Sequence, residues 1–212
     1  MAELNRLPKR SDGLETMARL IEQAKIEIES CGVDNFDLEA VLDRAKAARS
    51  SLYHHFGSKF GLVYAAQLDQ LVLGLQSDNE RLRLLVDLSS SAEDFFEIFA
   101  AFIHTVGSEE SVLMRQRRIQ VFASATHNEM LAEAIKKAQI EGTDYLAETL
   151  AILRDRGWIN PPFDLHAIAY ILQGMIFGHL ILDYSKQPEL ESAWSDATIH
   201  TVATLVGAIV TR

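Results

Sequence analysis

Helical periodicity runs almost unbroken along this chain, and only four prolines interrupt it. Pro8, Pro161 and Pro162 stand where the apolar spacing already breaks, and Pro188 separates the last two segments. No stretch alternates apolar and polar residues as a half-buried strand would. Together these features predict an all-α fold. The composition, 48% hydrophobic and 24% charged, supplies an ordinary globular core. A length of 212 residues has room for one large domain or two small ones.

Caps and periodicity place the helices. The first is expected over Leu14 to Ser30, with Asp12 and Glu15 as a capping box and Leu14, Met17, Ala18, Ile21, Ala24 and Ile28 on one stripe. Asp37 caps a short helix over Leu38 to Ala45. A turn at Lys46 to Ala48 leads into a second short helix, Arg49 to His55, closed by Gly57. Ser58 then caps a long helix reaching about Arg83. Further helices follow over about Ala92 to Val106, Glu109 to Ala125 after Ser108, Asn128 to Arg156, Asp164 to Tyr184, and Leu190 to Val210. The small helices precede residue 57 or so and a larger helical body follows it.

The single cysteine, Cys31, excludes an intrachain disulfide and fits a reducing compartment, with a small buried filler as its expected role. The opening "MAELNRLPKR" carries charges with no apolar run behind them, so no signal peptide is visible. The longest apolar stretch, Ala167 to Tyr184, approaches the length of a membrane span, but it holds Gln173, His179 and Asp183 and lacks basic flanks. A buried helix is the expectation, in a cytoplasmic protein with no membrane partner.

Charge is unevenly placed. The formal net charge is −10, yet from Arg44 to Leu68 no acidic residue occurs. By proportion such a window would hold 3 or 4 of the chain's 30. It holds Arg44, Lys46, Arg49 and Lys59 instead. Residues 1–60 carry 9 basic and 10 acidic side chains and the remainder 11 and 20, so the acidity belongs to the later part. A solvated basic surface and a phosphate footprint both fit. Affinity for DNA depends on local charge, which is what this window supplies.

A short helix, a turn and a second short helix form the shape of a helix-turn-helix, whose second helix enters the major groove by its N-terminal residues. Those residues here are Arg49, Ser50 and Ser51. Arginine reads guanine with two parallel hydrogen bonds, and serine bonds bases or phosphate at close approach. Leu52 and Phe56, four apart, face the core. Tyr53, His54 and His55 are expected as hydrogen-bond donors to phosphate, joined by Lys59 in the first turn of the next helix. Adjacent histidines point about 100° apart on a helix and cannot ligate one metal as an i, i+4 pair does. No metal-ligand spacing, nucleophile motif or glycine-rich phosphate loop occurs, so no metal, cofactor or catalytic residue is expected.

The segment "RSSLYHHFGSKFGLVYAA" resembles the DNA-binding signature of the tetracycline-repressor (TetR) family of bacterial regulators. The pairs Leu52-Tyr53, His55-Phe56 and Ser58-Lys59 and the leucine at 62 carry the likeness, which spans about residues 36–66. The resemblance implies a homodimer with a three-helix DNA-binding head, residues 1–57, and a helical ligand-binding and dimerisation body, residues 58–212. It puts Arg49, Ser50, Ser51, Tyr53 and His54 on the reading helix and Tyr53, His55 and Lys59 at phosphate. The implied partners are a palindromic double-stranded operator and a small effector. Four positions depart from the family's pattern: Leu42 is larger than usual, Lys46 replaces glycine, Ala47 replaces a β-branched residue, and Ala48 replaces serine or threonine. Leu42 and Ala47 compensate in volume. Lys46 then needs a left-handed backbone, and Ala48 leaves the reading helix uncapped, each at about 1 kcal/mol. A helical sensor without tight DNA binding is the alternative.

In the body, "FFEIFAAFIHTV" is apolar on nearly every face, the mark of a central helix. Glu97 and His104, seven apart, share a stripe. They are either a structural hydrogen-bonded pair or the polar anchor of an apolar pocket for a mainly apolar ligand. Phe99, Phe102, Met114, Phe122, Tyr145, Tyr170, Gln173 and Phe177 are candidate walls. Gly174 and Gly178, four apart, permit close helix approach. With Ala197, Val202, Leu205 and Ile209 on the last helix they are the candidate dimer interface, a monomer core being the other account.

Overall fold

The structure is a computed structural model that describes residues 9–208. Helices α1 (Lys9–Cys31), α2 (Leu38–Ala45), α3 (Arg49–Phe56) and α4 (Lys59–Leu88) are followed by α5 (Ala92–Ile103), α6 (Glu109–Ala125), α7 (Glu129–Asp155), α8 (Leu165–Gly178), α9 (Leu180–Ser185) and α10 (Glu191–Leu205), with a 3-10 turn at Pro188–Leu190. No strand occurs among the described residues; one isolated bridge joins Ile159 and Ala208.

The expected caps hold where a side chain can reach a free N–H. Asp37 accepts from the backbone N–H groups of Glu39 and Ala40 at 2.9 and 3.3 Å. Ser58 accepts from Gly61 N–H at 2.9 Å and Ser108 from Ser111. Two further caps form beyond those expected: Ser91 accepts from Asp94 N–H, and Asn128, expected inside its helix, from Leu131 N–H. Several boundaries differ from expectation. The long helix after Ser58 runs past Arg83 to Leu88, and the last helix closes at Leu205, short of Val210. The first helix starts at Lys9, which places Asp12 inside it and not at its N-terminal cap position. The segment expected as one helix over 164–184 divides at His179, where Leu182 N–H bonds the His179 carbonyl in a tighter turn at 2.8 Å. The 92–106 helix closes at Ile103 in turns through Val106. Pro8 and Ile209 lie outside the described residues.

The chain divides into two compact units, Met1–Leu71 and Val72–Arg212. In the first, Leu20, Ala24, Ile28, Phe36, Val41, Leu42, Ala45, Leu52, Leu62, Val63 and Ala66 form the core. The start of α4 thus packs with α1–α3. Gly61 makes this possible: a Cβ there would stand 2.0 Å from the Phe56 carbonyl oxygen. Cys31 is only half-buried, and its thiol donates to the Glu27 carbonyl at 3.2 Å. Burial and the neighbouring Glu27 both push the thiol pKa up, which keeps it protonated.

In the second unit α5, α7, α8 and α10 bury Phe95, Phe99, Ile103, Leu146, Leu150, Leu153, Ile168 and Val202 in one cluster with Val86 of α4. The apolar segment 167–184 is not buried as expected. Among its residues only Ile168, Ala169 and His179 are buried, while Ala167, Tyr170, Ile171, Gly174, Gly178, Ile181 and Tyr184 are exposed. The stretch Leu165–Ser185 has the length and composition of a membrane span. Its buried His179 is tied by ring-nitrogen hydrogen bonds to Asp183 and Glu191.

Candidate nucleic-acid interface and ligand cavity

The two short helices carry the first site. The turn between them is set by Lys46, with φ 50 and ψ 46, the left-handed conformation expected where glycine is missing. Its N–H closes α2 on the Asp43 carbonyl at 3.2 Å, and Ala47 N–H bonds the Leu42 carbonyl at 3.1 Å. Leu42 and Ala47 both pack on the small core, so the larger and the smaller residue share one space. Ala48 occupies the cap position of α3 and offers no side-chain bond. On α3, Leu52 is fully buried and anchors the helix, while Ser50, Tyr53 and His54 are exposed and Ser51 and His55 half-buried. His54 and His55 meet edge to face at 5.0 Å between centroids, and His55 lies edge-on to Phe56.

The basic window is free of acids in sequence but not in space. Arg44 pairs with Glu27 of α1 at 2.6 Å and bonds the Gln23 side chain at 3.1 Å. This pairing is the first cause of a lowered Glu27 pKa, with burial opposing it. Arg49 is held by Glu39 of α2. Lys59 donates to the Phe36 carbonyl at 2.7 Å and lies over the Phe36 ring, 5.5 Å from its centroid. Lys59 is therefore first a brace between α4 and the loop before α2, a role the spacing did not reveal. Lys46 alone of the window's four cations makes no ion pair or side-chain bond among the described residues.

The second site is a cavity of about 750 Å³ in the second unit. Phe99, Phe102, Met114, Phe122, Tyr170, Gln173 and Phe177 line it as expected. Glu97, His104 and Tyr145 do not. Glu97 lies on the outward face of α5 and His104 just past its end: Phe95, Phe99 and Ile103 hold the inner face, and both polar residues are exposed. His104 lies 3.7 Å from Asp196 at the surface. The anchor expected from this pair does not exist. The cavity's charged groups come instead from α4 and α6, as Asp78, Arg81, Arg115 and Arg118, and Gln139 of α7 joins Gln173 among the uncharged polar ones. No periodicity marked the charged groups or Gln139, because each is an ordinary polar residue on a helix with a wet face.

Behind the cavity wall is a buried ion network. Arg115 forks onto Asp183 at 2.7 and 2.6 Å and donates to the Val106 carbonyl at 2.8 Å. His179, fully buried, bonds Asp183 by Nδ1 at 2.8 Å and Glu191 by Nε2 at 2.9 Å, with Trp194 edge-on to its ring. The three acceptor-bearing side chains fall within 4.8 Å of one another, the spacing of a metal site. Both ring nitrogens and both Asp183 oxygens are already used within the network, which makes it a tie between α6, α9 and α10. Burial raises the Asp183 pKa, but the bonds and charge of Arg115, with His179, more than offset this and hold it below the usual value.

Of the candidate interface residues, Gly174, Gly178 and Ala197 are exposed, and nothing within 4 Å would meet a Cβ on either glycine. Val202 is buried in the body core and lines the cavity, and Leu205 is half-buried against that core. Val202 is thus excluded from a surface by its packing.

Residues 20–66, from α1 into the first turns of α4, match the sequence model described as bacterial regulatory proteins, tetR family. The HTH-type transcriptional regulator UidR of Escherichia coli strain K12 is 19% identical over 165 residues, covering 78% of this chain and 80% of its own. A TetR-family transcriptional regulator from Cytophaga hutchinsonii has a similar structure, with a TM-score of 0.66 at 15% identity over 97% of this chain and 100% of its own. A Saccharomonospora viridis protein solved in complex with choline gives a TM-score of 0.62 at 16% identity over 90% and 96%. At these identities the two structures speak for the fold.

Proposed function

We propose that this chain, a DNA-binding transcriptional regulator of the tetR family, is a ligand-responsive repressor that binds a palindromic operator as a homodimer. Residues 1–57 are the reading head and residues 58–212 the body. The observation that carries the DNA reading is the exposed face of α3, Ser50, Tyr53 and His54, beside Lys46, which has no ion pair among the described residues. Arg49 reads a base by exchanging Glu39 for guanine, and Arg44, His55, Ser51 and Lys59 border the phosphates.

The dimer is supported by the open apolar stripe of α8 and α9, Ala167, Tyr170, Ile171, Gly174, Gly178 and Ile181, with Ala197 on α10. Such a stripe on one subunit calls for a cover, and two-fold pairing sets two reading helices one DNA turn apart, about 34–36 Å. The cavity supports an effector, as does the choline complex of the Saccharomonospora viridis protein. An effector that binds the operator-free form better by about 1–3 kcal/mol lowers operator affinity several-fold to a hundred-fold, and operator weakens the effector by the same factor. The protein is cytoplasmic and non-catalytic in this reading.

The second reading, a sensor without tight DNA binding, is favoured by one observation: Arg44, Arg49 and Lys59 all spend their charge or donors inside the head. Nuclease protection of the DNA upstream of the protein's own gene separates the two. A protected, two-fold symmetric segment supports the repressor, and no protection at any protein concentration supports the sensor.

A further inference from the structure

Beyond its size, the cavity has a charge pattern that narrows what it binds. Its walls are apolar, with Phe102, Met114, Phe122 and Phe177 among them. Four charged side chains reach it: Asp78, Arg81, Arg115 and Arg118. Arg115 is neutralised from behind by its fork onto Asp183. That leaves one carboxylate facing two guanidinium groups. Arg118 pairs with Asp78, while Arg81, at the exposed edge, has no carboxylate partner among the described residues. The lining is thus positive within residues 61–212, which hold 11 basic and 20 acidic side chains. An apolar cavity with surplus positive charge accepts an anion and rejects a cation.

We infer, resting on the small-molecule reading above, that the effector is an amphiphilic organic anion: an apolar body with one carboxylate or phosphate head that takes Arg118 from Asp78. The Arg118 side chain is 16% exposed and that of Asp78 33%, so the carboxylate is the wetter partner and the one that returns to water more cheaply. A guanidinium fork matches either head chemistry with two parallel bonds. Gly74 leaves Arg118 room to turn, since a Cβ there would stand 3.3 Å from its Nη2. Also in the lining, the Gln139 Oε1 is buried without a partner among the described residues and accepts from a hydroxyl or N–H on the ligand's body.

The test titrates the intact protein, by calorimetry below micelle-forming concentrations, with four probes sharing one chain: dodecanoate, dodecyl phosphate, dodecanol and dodecyltrimethylammonium. The expected result is that at least one anion binds about tenfold tighter than the alcohol, the two anions together identifying the preferred head. Arg118→Gln brings that anion down to the alcohol's affinity. Asp78→Asn, which removes the competing carboxylate, tightens the anion several-fold and leaves the alcohol unchanged, a gain that a misfolded variant cannot produce. Equal binding of alcohol and anions, tightest binding of the ammonium, or a loss of anion affinity in Asp78→Asn overturns the anion inference and leaves the small-molecule reading standing. If no amphiphile binds, that reading fails and the inference with it.

Discussion

Two single residues show how the head balances stability against its surface. Lys46 holds a left-handed backbone that glycine would adopt without strain. Lys46→Gly is expected to raise stability by about 1 kcal/mol, measured by denaturant unfolding. The same change removes the one cation of the basic window that has no partner among the described residues, so DNA affinity falls for every sequence and the salt slope flattens by about one charge. Opposite signs in the two measurements mark a residue kept for its charge. Gln67, on α4, is buried with both amide atoms unpartnered among the described residues. Gln67→Met keeps the volume and removes an unpaired polar group, and is expected to raise the unfolding midpoint by about 1 kcal/mol in free energy. A lower midpoint would show that the amide is satisfied after all.

Among the helices, α8 carries the heaviest prediction. Gly174 and Gly178 sit on its open face with clear space above them. Gly178→Leu leaves the subunit core untouched, so it is expected to keep helical content while sedimentation shows monomers or aggregates in place of dimers. An unchanged dimer would move the interface elsewhere. The helices also show what spacing can and cannot reveal. Caps such as Asp37, Ser58 and Ser108 are local, each within three residues of its bond, and were legible, whereas Ser91 and Asn128 cap their helices without having been singled out. The turn conformation of Lys46 was expected from the resemblance alone, because the family that the segment resembles usually has glycine at that position. The face that α5 turns inward was not legible: spacing puts Glu97 and His104 on one stripe, but the helices packed against Phe95, Phe99 and Ile103 decide which stripe is inside. Charge partners were hidden likewise, because Glu27 and Glu39 lie 17 and 10 residues from the arginines they bind. The cavity's aromatic walls were foreseen, and its charged residues were not.

At the scale of the whole molecule, ion pairs make stability depend on pH in a predictable direction. Asp183, in the body, has a folded pKa below its ordinary value of 3.8 despite burial, because Arg115 and His179 hold it ionised. Glu27, in the head, is lowered chiefly by Arg44. A lowered carboxylate pKa contributes stability that is fully present above the unfolded value and is lost as pH falls through the folded one. Both units therefore weaken together on acidification below the ordinary carboxylate range. Asp183→Asn is expected to cost about 3–5 kcal/mol at neutral pH, since Arg115 is left buried and unpaired, and to flatten the acid limb of a thermal-unfolding profile. An unchanged acid limb would remove the network from the account.

The central claim is that an acidic chain reads DNA through one small basic face. It is tested most directly by selecting bound sequences from random duplexes with the wild-type protein at low salt. The account predicts enrichment of a two-fold symmetric site with half-sites about one helical turn apart. Recovery of the starting pool, with no sequence preferred over another, would contradict it.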